Sequence, residues 1–130
     1  MTESQIILCV DDDPDVLSYL EIVLTREGFV FAGAASAEEA LTVYRERTPD
    51  LLIVDLMMEE VDAGTGLVEK LRLLGNQAPV FMLSSVGDHL SATADYNTLG
   101  LSGVFQKPLS KDHLLTVIRA KLSSRSVAAR

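Results

Sequence analysis

The sequence predicts an α/β domain of the (βα)5 type, a doubly wound five-stranded parallel sheet with helices on both faces. Three observations lead there. Apolar residues come in short unbroken blocks, these blocks alternate with stretches of helical periodicity, and most of them end in a polar residue. Unbroken apolar runs mark strands buried on both faces, as in a parallel sheet, whereas a half-exposed strand alternates. The intervening helices supply the crossovers that parallel strands need.

Ile6-Ile7-Leu8-Cys9-Val10 is the first block. Asp13 then caps a helix with Pro14 in its first turn, where a missing N–H costs nothing. Val16, Leu17, Leu20, Val23 and Leu24 share one face of that helix, and Gly28 supplies its stop. Phe29-Val30-Phe31-Ala32 is a weaker second strand. Ser36 and Glu39 form an S-x-x-E capping box ahead of Ala40, Leu41 and Tyr44. Leu51-Leu52-Ile53-Val54 is the third strand, followed by a helix carrying Leu67, Leu71 and Leu74 before Gly75. Gly64-Thr65-Gly66, which no Gly-Lys-Ser/Thr follows, reads as a flexible turn and not as a phosphate loop. Val80-Phe81-Met82-Leu83 is the fourth strand, and residues 88–99 form the least regular helix. Val104-Phe105 gives a short fifth strand, after which Ser110 opens a helix bearing Leu114, Leu115, Ile118 and Leu122.

A chain of 130 residues fits one domain, taken as residues 1–123, with 124–130 as a tail or the start of a linker. Its 11 basic against 19 acidic residues give a formal charge of −8, which argues against a main task of gripping nucleic acid or an anionic membrane. Cys9 is the only cysteine, so an intrachain disulfide and a cysteine-based zinc cluster are excluded, and it reads as an inert core thiol. The amino terminus lacks a signal-peptide pattern, and no apolar run approaches the roughly 20 residues of a membrane span, so a cytoplasmic location is expected.

In an open parallel sheet the ligand crevice lies outside the carboxyl ends of the strands. There the first strand delivers Asp11-Asp12-Asp13, the third Asp55, the fourth Ser84-Ser85 and the fifth Lys107. Grouped carboxylates repel one another, and a divalent cation relieves them. All-oxygen ligands select a hard ion, and few protein ligands plus waters suit Mg²⁺. An Asp beside such an ion can act as a nucleophile and form an acyl phosphate. Lys107 would neutralise the arriving phosphoryl group, and Ser84 would donate to one of its oxygens. Asp13 fits a helix cap better than a ligand, and His89 and His113 read as isolated surface residues.

The set Val10-Asp11-Asp12-Asp13-Pro14, Pro49 to Met58, Met82-Leu83-Ser84 and Lys107-Pro108 resembles a response-regulator receiver domain, in order and over essentially the whole chain. The resemblance implies a flavodoxin-like strand order 2-1-3-4-5 and a cis bond before Pro108. It makes Asp55 the phospho-acceptor, Ser84 the switch hydroxyl and Lys107 the phosphate-binding lysine. Mg²⁺ would be held by Asp11, Asp12, Asp55 and the main-chain carbonyl of Met57. The phosphoryl donor would be a histidine kinase or a histidine phosphotransfer protein, and the recipient of the signal an effector or output domain. The chain would then be a phosphorylation-dependent switch and not an enzyme, with no direct contact to nucleic acid or membrane. A Mg²⁺-dependent phosphohydrolase is the rival, but it would want an acid two residues after the nucleophile, where Met57 stands.

The chain also departs from the family pattern. Glu59 stands where proline is usual, and the acidic stretch 59–66 looks lengthened. Val104 replaces the usual aromatic, while Phe105, one residue on, is expected on the opposite face of its strand. Met57 and Val86 occupy the positions that, by the resemblance, flank the path of the water hydrolysing the acyl phosphate.

Overall fold

A computed structural model of the chain describes residues 5–55, 63–84 and 101–128. β1 (Ile6–Val10), β2 (Val30–Ala34), β3 (Leu51–Asp55), β4 (Val80–Ser84) and β5 (Gly103–Gln106) form one parallel sheet in the order β2-β1-β3-β4-β5. The helices are α1 (Pro14–Arg26), α2 (Ala37–Glu46), α3 (Ala63–Leu73) and α4 (Lys111–Ala128). The helix expected over residues 88–99 lies outside the described residues.

Alternate residues of each central strand enter different cores. Leu8, Val10, Leu52, Val54, Val80 and Met82 pack with Ala40 of α2 and with Leu67, Val68 and Leu71 of α3. Ile7, Cys9, Leu51, Ile53, Phe81 and Leu83 pack with Leu20, Val23 and Leu24 of α1 and with Leu114, Leu115, Ile118 and Leu122 of α4. With both faces covered, β3 and β4 have no exposed position, which is why their sequences run apolar without alternation.

The helix ends follow the local signals. Asp13 is the N-cap of α1, its side chain accepting the Asp15 N–H, with Pro14 in the first turn. Ser36 Oγ accepts the Glu39 N–H, and Glu39 Oε1 reaches back to the N–H of Ala35, one residue beyond the usual partner of a capping box. α1 and α3 both close on a left-handed glycine, Gly28 at φ 89° and Gly75 at φ 85°. In each, the glycine N–H and the next N–H turn back to carbonyls of the last turn, the Schellman pattern.

Two local expectations are corrected. Gly64-Thr65-Gly66 is not a turn: the backbone is helical from Ala63, because burial of Leu67, Val68 and Leu71 against the sheet outweighs the helix-weakening glycines. Leu74 is half-exposed in the turn that ends α3. The last helix, α4, is helical through Ala128, and its Leu114, Leu115, Ile118 and Leu122 lie in the core. Among the described residues no helix is long and apolar enough to cross a membrane.

Candidate functional site

The chain leaves β1 toward β2 on one side and returns to β3 on the other, so the order reverses between β1 and β3. A crevice opens outside the carboxyl ends at such a reversal. Asp11 and Asp12 follow β1, and Asp55 is the last residue of β3. One carboxylate oxygen from each of the three lies within 4.8 Å of the others. Asp11 and Asp55 are buried and Asp12 is exposed, so the cluster has a floor and a mouth.

Asp11 is fixed at several points. Its N–H donates to the Ala34 carbonyl at 3.1 Å, and its Oδ1 accepts the Asp13 N–H at 2.9 Å. Its Oδ2 is fully buried and lies 2.9 Å from Lys107 Nζ. That contact is close enough for an ion pair but off the direction of a hydrogen bond, so among the described residues the oxygen has charge compensation without an aligned donor. Lys107 Nζ also lies 3.5 Å from Asp55 Oδ1. Burial alone would lower the Lys107 pKa, but Asp11 and Asp55 together outweigh it and hold the ammonium above its ordinary value.

Lys107 reaches the cluster because β5 ends beside β4: its N–H donates to the Ser84 carbonyl at 2.7 Å, and the Lys107–Pro108 bond is cis. Ser84 is the buried last residue of β4. The expected Asp11, Asp12, Asp55, Ser84 and Lys107 thus all sit at the carboxyl edge of the sheet. Met57, Glu59, Glu60, Val86 and His89 lie outside the described residues. Asp13 points back into its own helix cap, although its N–H orients Asp11. Cys9 is buried behind the site, where burial and the neighbouring Asp11 push its thiol far up, an unreactive state. His113 is exposed and sets its ring edge-on to Phe105, 5.8 Å between centroids.

The donor set fits a hard divalent cation. Among the described residues, three carboxylates face one ammonium and buried Asp11 Oδ2 has no aligned donor. Beside the cluster, Asp15, Val16, Tyr19, Lys107, Pro108 and Leu109 line a largely apolar hollow of about 270 Å³. Sequence reasoning did not single it out. Its signal was the spacing of residues 15, 16 and 19 on the first turns of α1, which presents one face to the loop after β5.

Residues 7–119 match the family model of the response regulator receiver domain. The DNA-binding response regulator MtrA of Mycolicibacterium smegmatis is 35% identical over 121 residues, which cover 93% of this chain and 52% of MtrA. The transcriptional regulatory protein PrrA of Mycobacterium tuberculosis is 35% identical over 126 residues, covering 95% of this chain and 52% of PrrA. The chain thus spans about half the length of the curated relatives it matches. A CheY-like receiver domain protein from Methanospirillum hungatei superposes with a TM-score of 0.88 at 26% identity, over 97% of this chain and 99% of that one.

Proposed function

The chain belongs to the response regulator receiver domain family, and we propose that it acts as a switch by accepting a phosphoryl group on Asp55 from a histidine kinase or a histidine phosphotransfer protein. The observation that carries this reading is the convergence of Asp11, Asp12 and Asp55 on one crevice with Lys107 bridging two of them.

In the proposed transfer an Asp55 carboxylate oxygen attacks the phosphorus of the donor phosphohistidine. The new O–P bond forms as the P–N bond breaks, and the imidazole leaves with that electron pair and takes up a proton. Lys107 and Ser84 contact phosphoryl oxygens and stabilise their charge. Asp11, Asp12, Asp55 and the Met57 carbonyl would hold Mg²⁺, which when bound neutralises phosphoryl charge and fixes its orientation. The only chemistry proposed is this self-phosphorylation and its hydrolytic reversal, which makes the chain a switch and not an enzyme with a separate substrate.

Phosphorylation of other residues adds roughly −1.5 to −2 charges, and a similar addition at Asp55 would bias the ends of β4 and β5 between two arrangements. The proposed reader is an effector or output domain. MtrA is named as DNA-binding, and its matched segment is about half of it. With its charge of −8 we propose no direct contact with nucleic acid for this chain, nor with membrane, and a cytoplasmic location. Residues 1–123 would be the receiver, and 124–130 a tail or the start of a linker. The test is intact-mass measurement after incubation with a small phosphodonor and Mg²⁺. Wild type should gain one phosphoryl group and Asp55→Asn none; equal gain by both proteins would refute the acceptor.

A further inference from the structure

We propose that this chain associates head to tail with a second copy of itself, the exposed leucines at the end of α3 in one copy seating in the apolar hollow beside α1 of the next. The contact goes beyond the phosphoryl reading above and does not depend on it.

Among the described residues four large apolar side chains are exposed, and they form two pairs, Tyr19 with Ile22 and Leu73 with Leu74. Leu73 is 83% exposed and Leu74 50%. The fold does not ask for leucine there. α1 ends in the same Schellman turn, and the two residues before its glycine are the exposed Arg26 and Glu27. The turn after α3 is braced by Asn76, whose side chain accepts from the Tyr44 hydroxyl and the Ala78 N–H and donates to the Ala78 carbonyl. The two leucines thus form an apolar knob at positions that α1 fills with charged residues.

The hollow offers the matching socket. Val16, Tyr19, Pro108 and Leu109 are walls of its roughly 270 Å³. An apolar cavity of about 150 Å³ already holds benzene, so a leucine side chain has room. The socket has an acidic border: Asp15 lines it, and exposed Asp12 and Asp13 stand just before it in the chain. Its one cation, Lys107, is paired with Asp11 and Asp55. The knob has a basic border, with Lys70 and Arg72 exposed in the last turn of α3. The bond from Tyr44 to Asn76 brings the end of α2 alongside, with exposed Arg45 and Arg47. Those cations outnumber the neighbouring acids Glu46 and Glu69, so opposite signs meet when the knob enters the socket. At about 0.15 M salt the Debye length is about 8 Å, so these near charges decide and the net −8 of each copy is screened.

One copy cannot satisfy itself. Leu74 lies ahead of β4, at the amino edge of the sheet, whereas Lys107 follows β5 at the carboxyl edge. α3 also packs on one face of the sheet and α1 on the other. Knob and socket therefore belong to opposite edges and opposite faces, and the contact is heterologous. Each docked pair leaves one knob and one socket open, so further copies can add.

The experiment is sedimentation velocity from about 10 µM to about 1 mM, a range suited to an interface below the standard size. It compares wild type, a knob variant (Leu73→Gln with Leu74→Gln) and a socket variant (Tyr19→Arg), the last setting a cation against Lys70 and Arg72. Wild type should sediment faster as its concentration rises, while each variant alone stays monomeric. An equimolar mixture of the two variants should form a dimer and nothing larger, because one keeps its knob and the other its socket. In that mixture the amides of residues 72–76 should shift only in isotope-labelled socket variant. Those of residues 15–19, Lys107 and Leu109 should shift only in labelled knob variant. Should Tyr19→Arg fail to fold, Asp15→Lys at the exposed border takes its place. Wild type that stays monomeric throughout would overturn the proposal and mean that the leucines face a partner other than this chain. A knob variant that still associates, or a mixture that stays monomeric or grows beyond a dimer, would overturn it equally.

Discussion

Val104 and Phe105 are neighbours in β5 but belong to opposite sides of the sheet. Val104 is half-buried beside the core of α2 and α3, whereas Phe105 is buried in the core of α1 and α4. Phe105 also stacks on Phe81 with centroids 5.1 Å apart and meets the edge of the His113 ring. The aromatic of this strand is thus locked in a core and is not available as a swinging side chain where Val104 stands. Val104 has a single χ angle and little reach.

Val104→Ala should therefore cost about 1 kcal/mol of stability and change phosphorylation-dependent partner binding little. Phe105→Ala should cost about 3–5 kcal/mol, the range for emptying a buried aromatic site. Urea unfolding gives both values. A large loss of partner binding in Val104→Ala at preserved stability would show that the valine is itself a signalling element.

The sheet was legible because burial on both faces leaves an unbroken apolar run, as in β1, β3 and β4. The rim acids were legible because strand ends fix where they fall. The approach of Lys107 to Asp11 was not. β1 and β5 are separated by β3 and β4, about 14 Å in strand spacings, so the contact depends on side-chain reach and on loops curling inward. The start of α3 was misread because glycine signals a turn locally, while the apolar face that overrides it comes several residues later.

Asp12 and Asp13 should separate into ligand and cap. Asp13→Ala should lose about 1 kcal/mol, since its side chain holds the Asp15 N–H at the start of α1, with Mg²⁺ affinity nearly unchanged. Asp12→Ala should keep its stability, being exposed, and lose most of its Mg²⁺ affinity. Thermal melts with a calorimetric Mg²⁺ titration decide this, and equal affinity losses in the two variants would reject the division.

Two glycine substitutions should fail for different reasons. Gly28 has open space around a would-be Cβ but a φ of 89°, so Gly28→Ala should cost roughly 1–2 kcal/mol through the backbone. At Gly33 a Cβ would lie 2.9 Å from the Phe31 ring, so Gly33→Ala should cost about 1–3 kcal/mol by forcing that ring off β2. Adding Phe31→Leu should recover part of the loss at Gly33 and none at Gly28, as measured by denaturant midpoints.

The acyl phosphate proposed for Asp55 should be long-lived. Met57 and Val86, both outside the described residues, are apolar and cannot orient an attacking water by hydrogen bonding. Introducing polar groups, Met57→Asn with Val86→Glu, should speed decay of the phosphorylated protein once the donor is removed and Mg²⁺ kept. An unchanged or slower decay would show that the acidic residues Glu59 and Glu60 or other groups set the rate.

Lys107→Ala should still gain a phosphoryl group on Asp55, because the nucleophile belongs to β3 and Asp11 and Asp12 stay in place. The response should be what fails. In wild type the ammonium stands 3.5 Å from Asp55 Oδ1, close to where phosphoryl charge would arise, and its backbone is tied to the end of β4. Charge added at Asp55 therefore pulls on the β4–β5 edge through Lys107, and alanine has no group with which to transmit that pull. The variant should unfold more readily without Mg²⁺, since buried Asp11 Oδ2 then loses the ammonium 2.9 Å away. With Mg²⁺ present, phosphorylation should move the backbone amides of residues 103–110 strongly in wild type and only weakly in Lys107→Ala. The two NMR spectra, taken on samples whose phosphorylation is verified by mass, supply the check, and the same set of shifts in both proteins would mean that the signal leaves Asp55 by another route.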